Sequence, residues 1–237
     1  MTASILSDTA PTARARWRGE RLAGVAGIVF VAGVVFQNVV HAAIDPAADA
    51  SGGTILSSLD GHRGLIEFVF ALFVIEMAAL LIFTGAVYRR SVDGQWGWLA
   101  RTGLLGVAGI VACFTASVAI EAALTGTQAL SGAPHVVEGL WSVHMAFFTL
   151  NFTAIGVALF GLSLASADAG LVPGWFRIAG PVGAILLIVG AMPVVPAVRG
   201  SMASMGVALP GFIAWLVWML FASAGILRAE PEAERRS

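Results

Sequence analysis

Long apolar stretches, each separated from the next by a short polar segment, set the pattern of this chain. An apolar stretch of about 20 residues is long enough to cross the hydrocarbon core of a bilayer as a helix. The pattern predicts six such spans, at residues 22–43, 65–88, 98–124, 138–164, 178–198 and 207–227. We therefore predict an all-α fold, a polytopic membrane helix bundle with six transmembrane helices.

Polar segments flank these spans and divide the chain into three parts. Residues 1–20 are expected to form an N-terminal tail, residues 21–228 the six-helix transmembrane domain, and residues 229–237 a C-terminal tail. A signal peptide is the rival interpretation of the first span, because the small residues Ala42 and Ala43 stand at its end. Its length favours a retained helix.

Glycine and proline mark the connections and the contacts between spans. Residues 44–63 are rich in Asp, Pro and Gly, which predicts a loop. Gly103, Gly106 and Gly109 recur at every third position, a spacing that lets helix backbones approach closely. Three prolines are predicted to kink or end helices, namely Pro193, Pro196 and Pro210.

The arginines fall almost entirely on one side of the predicted spans. Six spans place both termini on one side, and with the N-terminus inside, only Arg63 and Arg199 lie outside. The other arginines lie inside: Arg14, Arg16, Arg18, Arg21, Arg89, Arg90, Arg101, Arg177, Arg228, Arg235 and Arg236. This bias follows the positive-inside rule and predicts a multi-pass protein of the cell (inner or plasma) membrane with both termini cytoplasmic.

Composition agrees with a chain whose partner is the lipid bilayer. It is 58% hydrophobic and 11% charged, whereas soluble domains are about 25% charged. No lysine occurs, which excludes a Schiff-base pigment and a lysine nucleophile. Cys113 is the only cysteine and cannot form an intrachain disulfide. No basic cluster has interleaved aromatic residues, so we expect no nucleic-acid partner.

Polar residues inside the spans are the candidates for function, because ionisable side chains in a membrane are costly. His144 and Asn151 are seven residues apart, about two helical turns, so they share one face with Phe148. The predicted topology places most of the polar residues of the spans in the outer half of the membrane. The candidate catalytic residues are Glu67, Glu76, Glu121 and His144. The candidate substrate-binding residues are Asn38, His41, Phe114, Trp141, Phe148, Asn151 and Trp215.

The spacings predict how these candidates are arranged. We expect Glu67, Glu121 and His144 to reach one shared cavity in the outer half. Glu67 and Glu76 are nine residues apart, which places them on opposite sides of one helix. Arg63 is four residues before Glu67 and can pair with it. Glu76 lies near the bilayer centre, so it must be neutral or meet a partner, and we predict Asn151.

A metal site has weak support in the sequence. His41, His144, Glu67 and Glu121 are residue types that bind metals, and they could converge from different spans. However, the chain has four histidines and none of the HxxxH, HExxH or paired-cysteine spacings. We therefore predict no metal and no other cofactor.

Three segments resemble a family of bacterial six-helix membrane proteins of unassigned function, common in actinobacteria and bacilli. They are RLAGVAGIVF, GLIEFVFALFVIEMAALLIFTGAVYRR and HMAFFTLNFTAIGVALFGLSLASADAGLVPGWFRIAGPVGAILLIVGAM. The resemblance implies the six-helix architecture. It matches Glu67 to a carboxylate that opens the second span and His144 to a histidine that opens the fourth. It gives no match for Glu76 or Glu121 and implies no reaction.

Three hypotheses for function follow from these residues. The first is a membrane enzyme that uses acid–base catalysis on an apolar, isoprenoid-like substrate, in the manner of a terpene cyclase. A buried glutamate would be the acid and His144 or a second glutamate the base, in a pocket of aromatic side chains. The second is a proton-coupled transporter that uses the same carboxylates as a relay. The third is a structural or accessory membrane protein.

Overall fold

The computed structural model describes residues 13–126, 132–201 and 203–228, and the helices within them carry nearly all of these residues. The eight helices of these ranges, in chain order, are α1 (Ala13–Ile44), α2 (Gly52–Gly61), α3 (Arg63–Ser91), α4 (Gly97–Gly126), α5 (Pro134–Asp168), α6 (Phe176–Ala191), α7 (Val194–Val198) and α8 (Ala203–Arg228). The described part of the chain has no strand. The protein is therefore all-α, as predicted.

Five of the described helices are long and apolar enough to cross a membrane. These stretches are Gly19–Ile44, Arg63–Ser91, Gly97–Gly126, Pro134–Asp168 and Met205–Arg228. The shorter α6 is also apolar. The predicted polytopic membrane bundle is confirmed in this sense, while the side of the membrane on which the termini lie stays a prediction.

Charged residues mark the two ends of the bundle differently. At one end, Glu20 accepts hydrogen bonds from Arg89 at 2.8 Å and from Arg90 at 2.7 Å. Arg177 lies 4.0 Å from Asp168 at the same end, where α5 passes into α6. We call this the arginine end. We call the opposite end, which carries the following residues, the acidic end: Asp45, Asp49, Asp60, Glu121 and Glu138.

In addition to the five long helices, the segment made of α6 and α7 runs from one end of the bundle to the other. It begins beside Asp168 at the arginine end and finishes at Gly200, whose backbone lies against the carboxylate of Asp49. Gly200 has a φ of 90°, a conformation that favours glycine. Pro193 is the N-cap of α7 and separates it from α6, so this predicted helix break is confirmed.

The loop predicted for residues 44–63 is wrong in its second half, where α2 forms. Ser51 caps this helix, because its hydroxyl oxygen accepts a hydrogen bond from the backbone N–H of Thr54. Ile55 and Leu59, four residues apart, are both fully buried against the acidic end of the bundle. The backbone N–H of Gly52 also donates to Glu138 of α5 at 2.9 Å.

Glycine packing joins α4 to α5, as the spacing predicted. The backbones of Gly103 and Gly106 lie against Leu162 and Ala158, and Gly109 lies against Ala154. The partners descend along α5 as the glycines ascend along α4, so the helices are antiparallel. Because lipid is as apolar as the side chains, such close contacts must hold the helices through dispersion forces.

Candidate functional site

A group of one histidine and two acids, of which Glu121 is buried, lies at the acidic end. His41 near the end of α1 contacts Asp45, which follows α1, with 2.9 Å between Nδ1 and Oδ1. Glu121 of α4 approaches the same nitrogen, with 4.0 Å between Nδ1 and Oε1. Candidate ligand atoms of the three residues all lie within 4.8 Å of one another. We call these three residues the His41 group.

Burial differs sharply within the His41 group. The side chain of Glu121 is 2% exposed, whereas those of His41 and Asp45 are each 27% exposed. Oε1 of Glu121 is buried and has no hydrogen-bond partner. A buried polar atom without a partner costs about 1–3 kcal/mol, so the fold does not gain from this carboxylate as it stands.

His144 of α5 is held by Ser117 of α4. Its Nδ1 lies 3.0 Å from the carbonyl oxygen of Ser117, and the hydroxyl of Ser117 donates to the carbonyl oxygen of His144 at 3.2 Å. Nδ1 also lies 3.0 Å from the hydroxyl oxygen of Ser117. Because a carbonyl oxygen can only accept, and the hydroxyl is directed to the carbonyl of His144, we assign the ring proton to Nδ1. A neutral His144 therefore keeps a lone pair on Nε2, free to accept a proton or bind a cation.

Trp141 packs against the face of the His144 imidazole. Its ring stacks on the ring of His144 with centroids 4.6 Å apart and an angle of 8° between planes. The indole N–H donates to the carbonyl oxygen of Ala47 at 3.3 Å. Ala47 belongs to the loop that follows Asp45, so Trp141 connects His144 to the chain segment of the His41 group.

A mostly apolar pocket of about 120 Å³, with four phenylalanines in its wall, lies deeper in the bundle. It is lined by Asn38, Phe114, Phe148, Asn151, Phe152, Ile155, Met205, Leu209 and Phe212. The rings of Phe114 and Phe148 meet edge to face with centroids 6.5 Å apart, and Phe152 meets Phe148 at 5.6 Å. For comparison, a cavity of about 150 Å³ accepts benzene. The pocket thus has room for about five carbon atoms.

Two residues of the pocket wall also lie at the outer surface of the bundle, and from them we place the mouth of the pocket between α1 and α8. Asn38 of α1 is exposed, and Leu209 of α8 is 48% exposed. In a membrane this mouth would face lipid. Asn151 lies at the inner wall, where its side-chain oxygen is buried without a partner.

The pocket and the ionisable residues are adjacent along two helices. Phe148 follows His144 by four residues on α5, and Phe114 precedes Ser117 by three on α4. Each step is about one helical turn, or 5.4 Å. Glu121 lies one further turn beyond Ser117. A molecule held in the pocket would therefore have His144 about one turn from it and Glu121 about two.

Glu76 lies apart from the pocket, between α1 and α3. It is fully buried, and both of its carboxylate oxygens lack a hydrogen-bond partner. Its side chain packs on the backbone of Gly33, where a Cβ atom would come within 2.7 Å of the carboxyl carbon. The predicted hydrogen bond to Asn151 is therefore wrong, because α1 rather than α5 receives the Glu76 side chain.

Glu67 does not join Glu121 and His144, so the predicted convergence of all three on one cavity is wrong. Its side chain is 61% exposed and accepts a hydrogen bond from Arg63 at 3.0 Å, the pair expected from their spacing. Ile66 and Val69 form the buried side of this turn of α3, and this turns Glu67 outward. The opposed placement of Glu67 and Glu76 is as predicted.

The predicted substrate-binding residues divide into three sets. Asn38, Phe114, Phe148 and Asn151 line the pocket. His41 and Trp141 are placed instead in and beside the ionisable residues described above. Trp215 is 1% exposed and packs edge to face on Phe30, with centroids 5.4 Å apart. It reaches the pocket only through its contact with Phe212, which is a packing role.

Sequence reasoning missed Asp45 and the α8 side of the pocket. Asp45 follows His41 by four residues, a spacing that brings two side chains together at a helix end and could have been noticed. Met205, Leu209 and Phe212 carried no such signal, since their contact with α4 and α5 depends on the tertiary arrangement.

Comparison of the chain with protein-family models, with curated proteins and with solved structures gives no match. The resemblance to bacterial six-helix membrane proteins stays a prediction.

Proposed function

We propose that this chain is a membrane-embedded enzyme that applies acid–base catalysis to an apolar, isoprenoid-like substrate. The observation that carries the proposal is the lipid-facing aromatic pocket one helical turn from His144, with the His41 group next to it. The membrane concerned would be the cell membrane, with the arginine end in the cytoplasm, as the arginine bias favours.

The size and lining of the pocket favour an isoprenoid-like chain. An isoprene unit has five carbon atoms, which is about what 120 Å³ can hold. The remainder of a longer chain would leave through the mouth beside Leu209, into lipid. The faces of Phe114, Phe148 and Phe152 would stabilise positive charge that develops on the substrate.

The ionisable residues supply two complementary roles. Nε2 of His144 is the proton acceptor, because Nδ1 is committed to the carbonyl of Ser117. The His41 group supplies the acid, since it brings together an imidazole and two carboxyl groups, one of which is buried. General acid–base catalysis by positioned groups of this kind contributes about 10²–10⁴ in rate.

A second candidate function is proton-coupled transport, and Glu76 is the observation that favours it. A fully buried carboxyl group without a hydrogen-bond partner is suited to take up and release a proton. Transport predicts that Glu76→Gln abolishes proton flux into proteoliposomes loaded with a pH dye. The enzyme proposal predicts no such flux in the unaltered protein.

The test of the enzyme proposal blocks the mouth of the pocket. Leu209→Trp would fill the mouth, whereas Leu220→Trp places the same side chain on the outer surface of α8, 11 residues further along. Leu220 is 42% exposed, close to the 48% of Leu209, which makes the two variants a matched pair. Both are expressed in a strain from which the gene has been deleted, and lipid extracts are compared by mass spectrometry.

We expect an apolar compound to accumulate in the deletion strain and with Leu209→Trp, and to disappear with the unaltered protein and with Leu220→Trp. Equal membrane abundance of the two variants is checked by immunoblot. Extracts that do not change on deletion of the gene would contradict the enzyme proposal. If the accumulated compound also disappears with Leu209→Trp, the pocket is not the substrate site of the proposed enzyme.

A further inference from the structure

We infer that His41, Asp45 and Glu121 bind a divalent cation of the first transition row, for which Zn²⁺ is the probe. The site stands on its own geometry, and its role as the acid of the reaction rests on the proposed function. One imidazole and two carboxylates form a nitrogen and oxygen donor set that suits such cations. Calcium and magnesium, in contrast, prefer oxygen ligands alone.

The donor atoms are already close to the spacing that a cation requires. Zn²⁺ is held at about 2.0–2.2 Å by imidazole nitrogen and carboxylate oxygen, so ligands in one shell lie about 3–3.5 Å apart. The separation between Nδ1 of His41 and Oδ1 of Asp45 is 2.9 Å, and that to Oε1 of Glu121 is 4.0 Å. The third separation, between the carboxylates of Asp45 and Glu121, is at most 4.8 Å. A cation would replace the proton shared by His41 and Asp45, which leaves to solvent, and would draw Glu121 inward.

The Glu121 carboxyl group is the independent observation that points to a ligand. Its Oε1 is buried without a hydrogen-bond partner and lies on the side facing His41. A structural ion pair would place this oxygen within hydrogen-bond distance of the imidazole, as Asp45 does. A cation between the residues would satisfy the oxygen that the protein alone leaves unpaired.

Access and surroundings fit a site that is open on one side. His41 and Asp45 are each 27% exposed, so a cation can enter from the acidic end. The loop after Asp45 is fixed by the hydrogen bond from Trp141 to Ala47. Because Trp141 also stacks on His144, the same contact fixes the site relative to the proposed base. A cation there would be the electrophile, and His144 the base.

The experiment measures zinc bound to the full-length, tag-free protein in detergent. The protein is stripped with a chelator and loaded with Zn²⁺. Metal content is measured by inductively coupled plasma mass spectrometry, and affinity by competition with a chromophoric chelator. We expect one zinc ion per chain, and at least about a tenfold loss of affinity in His41→Ala, Asp45→Asn and Glu121→Gln.

Two controls lie at the same end of the bundle but outside the site. His135→Ala removes an imidazole that is 94% exposed, and Glu67→Gln removes a carboxylate that is 61% exposed. Both should leave zinc affinity unchanged. If Glu121→Gln does not fold, as judged by helical circular dichroism and gel filtration, Asp45→Asn decides the test, because the Asp45 side chain is partly exposed.

X-ray absorption of the loaded protein should show nitrogen and oxygen ligands at about 2.0–2.2 Å and no sulfur. No zinc above the detergent blank, or equal affinity in the ligand and control variants, would overturn the inference and leave a plain ion pair. Zinc binding by the protein, together with lipid extracts that do not change when the gene is deleted, would instead overturn the proposed function and leave the metal site.

Discussion

The arginine end and the rest of the bundle differ in the kind of buried group that lacks a hydrogen-bond partner. At the arginine end, Glu20 is paired with two arginines, and the buried side-chain atoms without a partner among the described residues are the hydroxyls of Ser91 and Ser223. From the middle of the bundle to the acidic end, the described groups without a partner are carboxylate or amide oxygens, those of Glu76, Glu121 and Asn151. The arginine end pairs its partly buried carboxylate, whereas the rest of the bundle leaves buried carboxylate and amide oxygens without a partner.

This difference separates stability from function. Buried polar groups without partners lower stability, so each one calls for an explanation other than stability. The arginine end can be explained as anchoring and helix pairing. The acidic half contains the pocket, the imidazole of His144 and the His41 group, and these are what a reaction or a ligand would use.

The largest expected effect concerns the side of the membrane on which each end lies. In a Cys113→Ala background, Gly53→Cys and Asp93→Cys each place one thiol on an exposed position at the acidic and the arginine end, respectively. The positive-inside rule predicts that an impermeant maleimide labels Gly53→Cys in intact cells and Asp93→Cys only after lysis. The reverse labelling would invert the orientation.

The next effect concerns His144. His144→Gln keeps a hydrogen bond to Ser117 but removes the basic nitrogen, so activity should fall by about 10²–10⁴ while membrane abundance stays normal. His135→Gln makes the same change on the same helix at a side chain that is 94% exposed, and it should have no effect. The readout is the compound that accumulates in the deletion strain. Equal activity of the two variants would make His144 a packing residue.

Stability measurements sharpen the comparison between the halves. Glu76→Leu removes two unpartnered buried oxygens and should raise the free energy of unfolding by about 1–3 kcal/mol. Ser223→Ala removes one unpartnered hydroxyl in the other half and should change it by less. Both are measured by chemical denaturation in detergent. A destabilised Glu76→Leu would mean that its carboxyl group holds helices together.

The smallest effect is expected for a charge at the arginine end. Arg89 is 54% exposed and shares Glu20 with Arg90, so Arg89→Gln should cost at most about 1 kcal/mol and leave activity unchanged. The same denaturation experiment checks the change in stability, and the lipid extract of the deletion strain that expresses the variant checks the activity. A large loss of either would show that the arginine end is more than an anchor.

The helical membrane fold could be predicted from the sequence because it depends on a local quantity, the length of each apolar stretch. The close helix contact made by the glycines of α4 could also be predicted, since their spacing fixes the face that meets α5. Helix α2 was missed because Asp, Gly and Ser residues suit a loop and a helix start equally well. Only the burial of Ile55 and Leu59 distinguishes the two.

The candidate site could be predicted only in part, because it is assembled from four helices. The face shared by His144, Phe148 and Asn151 followed from spacing along α5. Which side of α3 faces inward did not, and so Glu67 was assigned to the site although it lies outside. The meeting of His41 with Glu121 depends on how α1 packs near α4, which a single sequence does not show.

The claim that the unsatisfied groups serve function rather than folding is tested most directly at Glu121. The measurement pairs the unfolding midpoint of Glu121→Leu, taken with a chelator present, with its ability to restore the lipid extract of the deletion strain. We predict a midpoint equal to or above that of the unaltered protein, together with lost restoration. A clearly lower midpoint with full restoration would contradict this account and make Glu121 a structural residue.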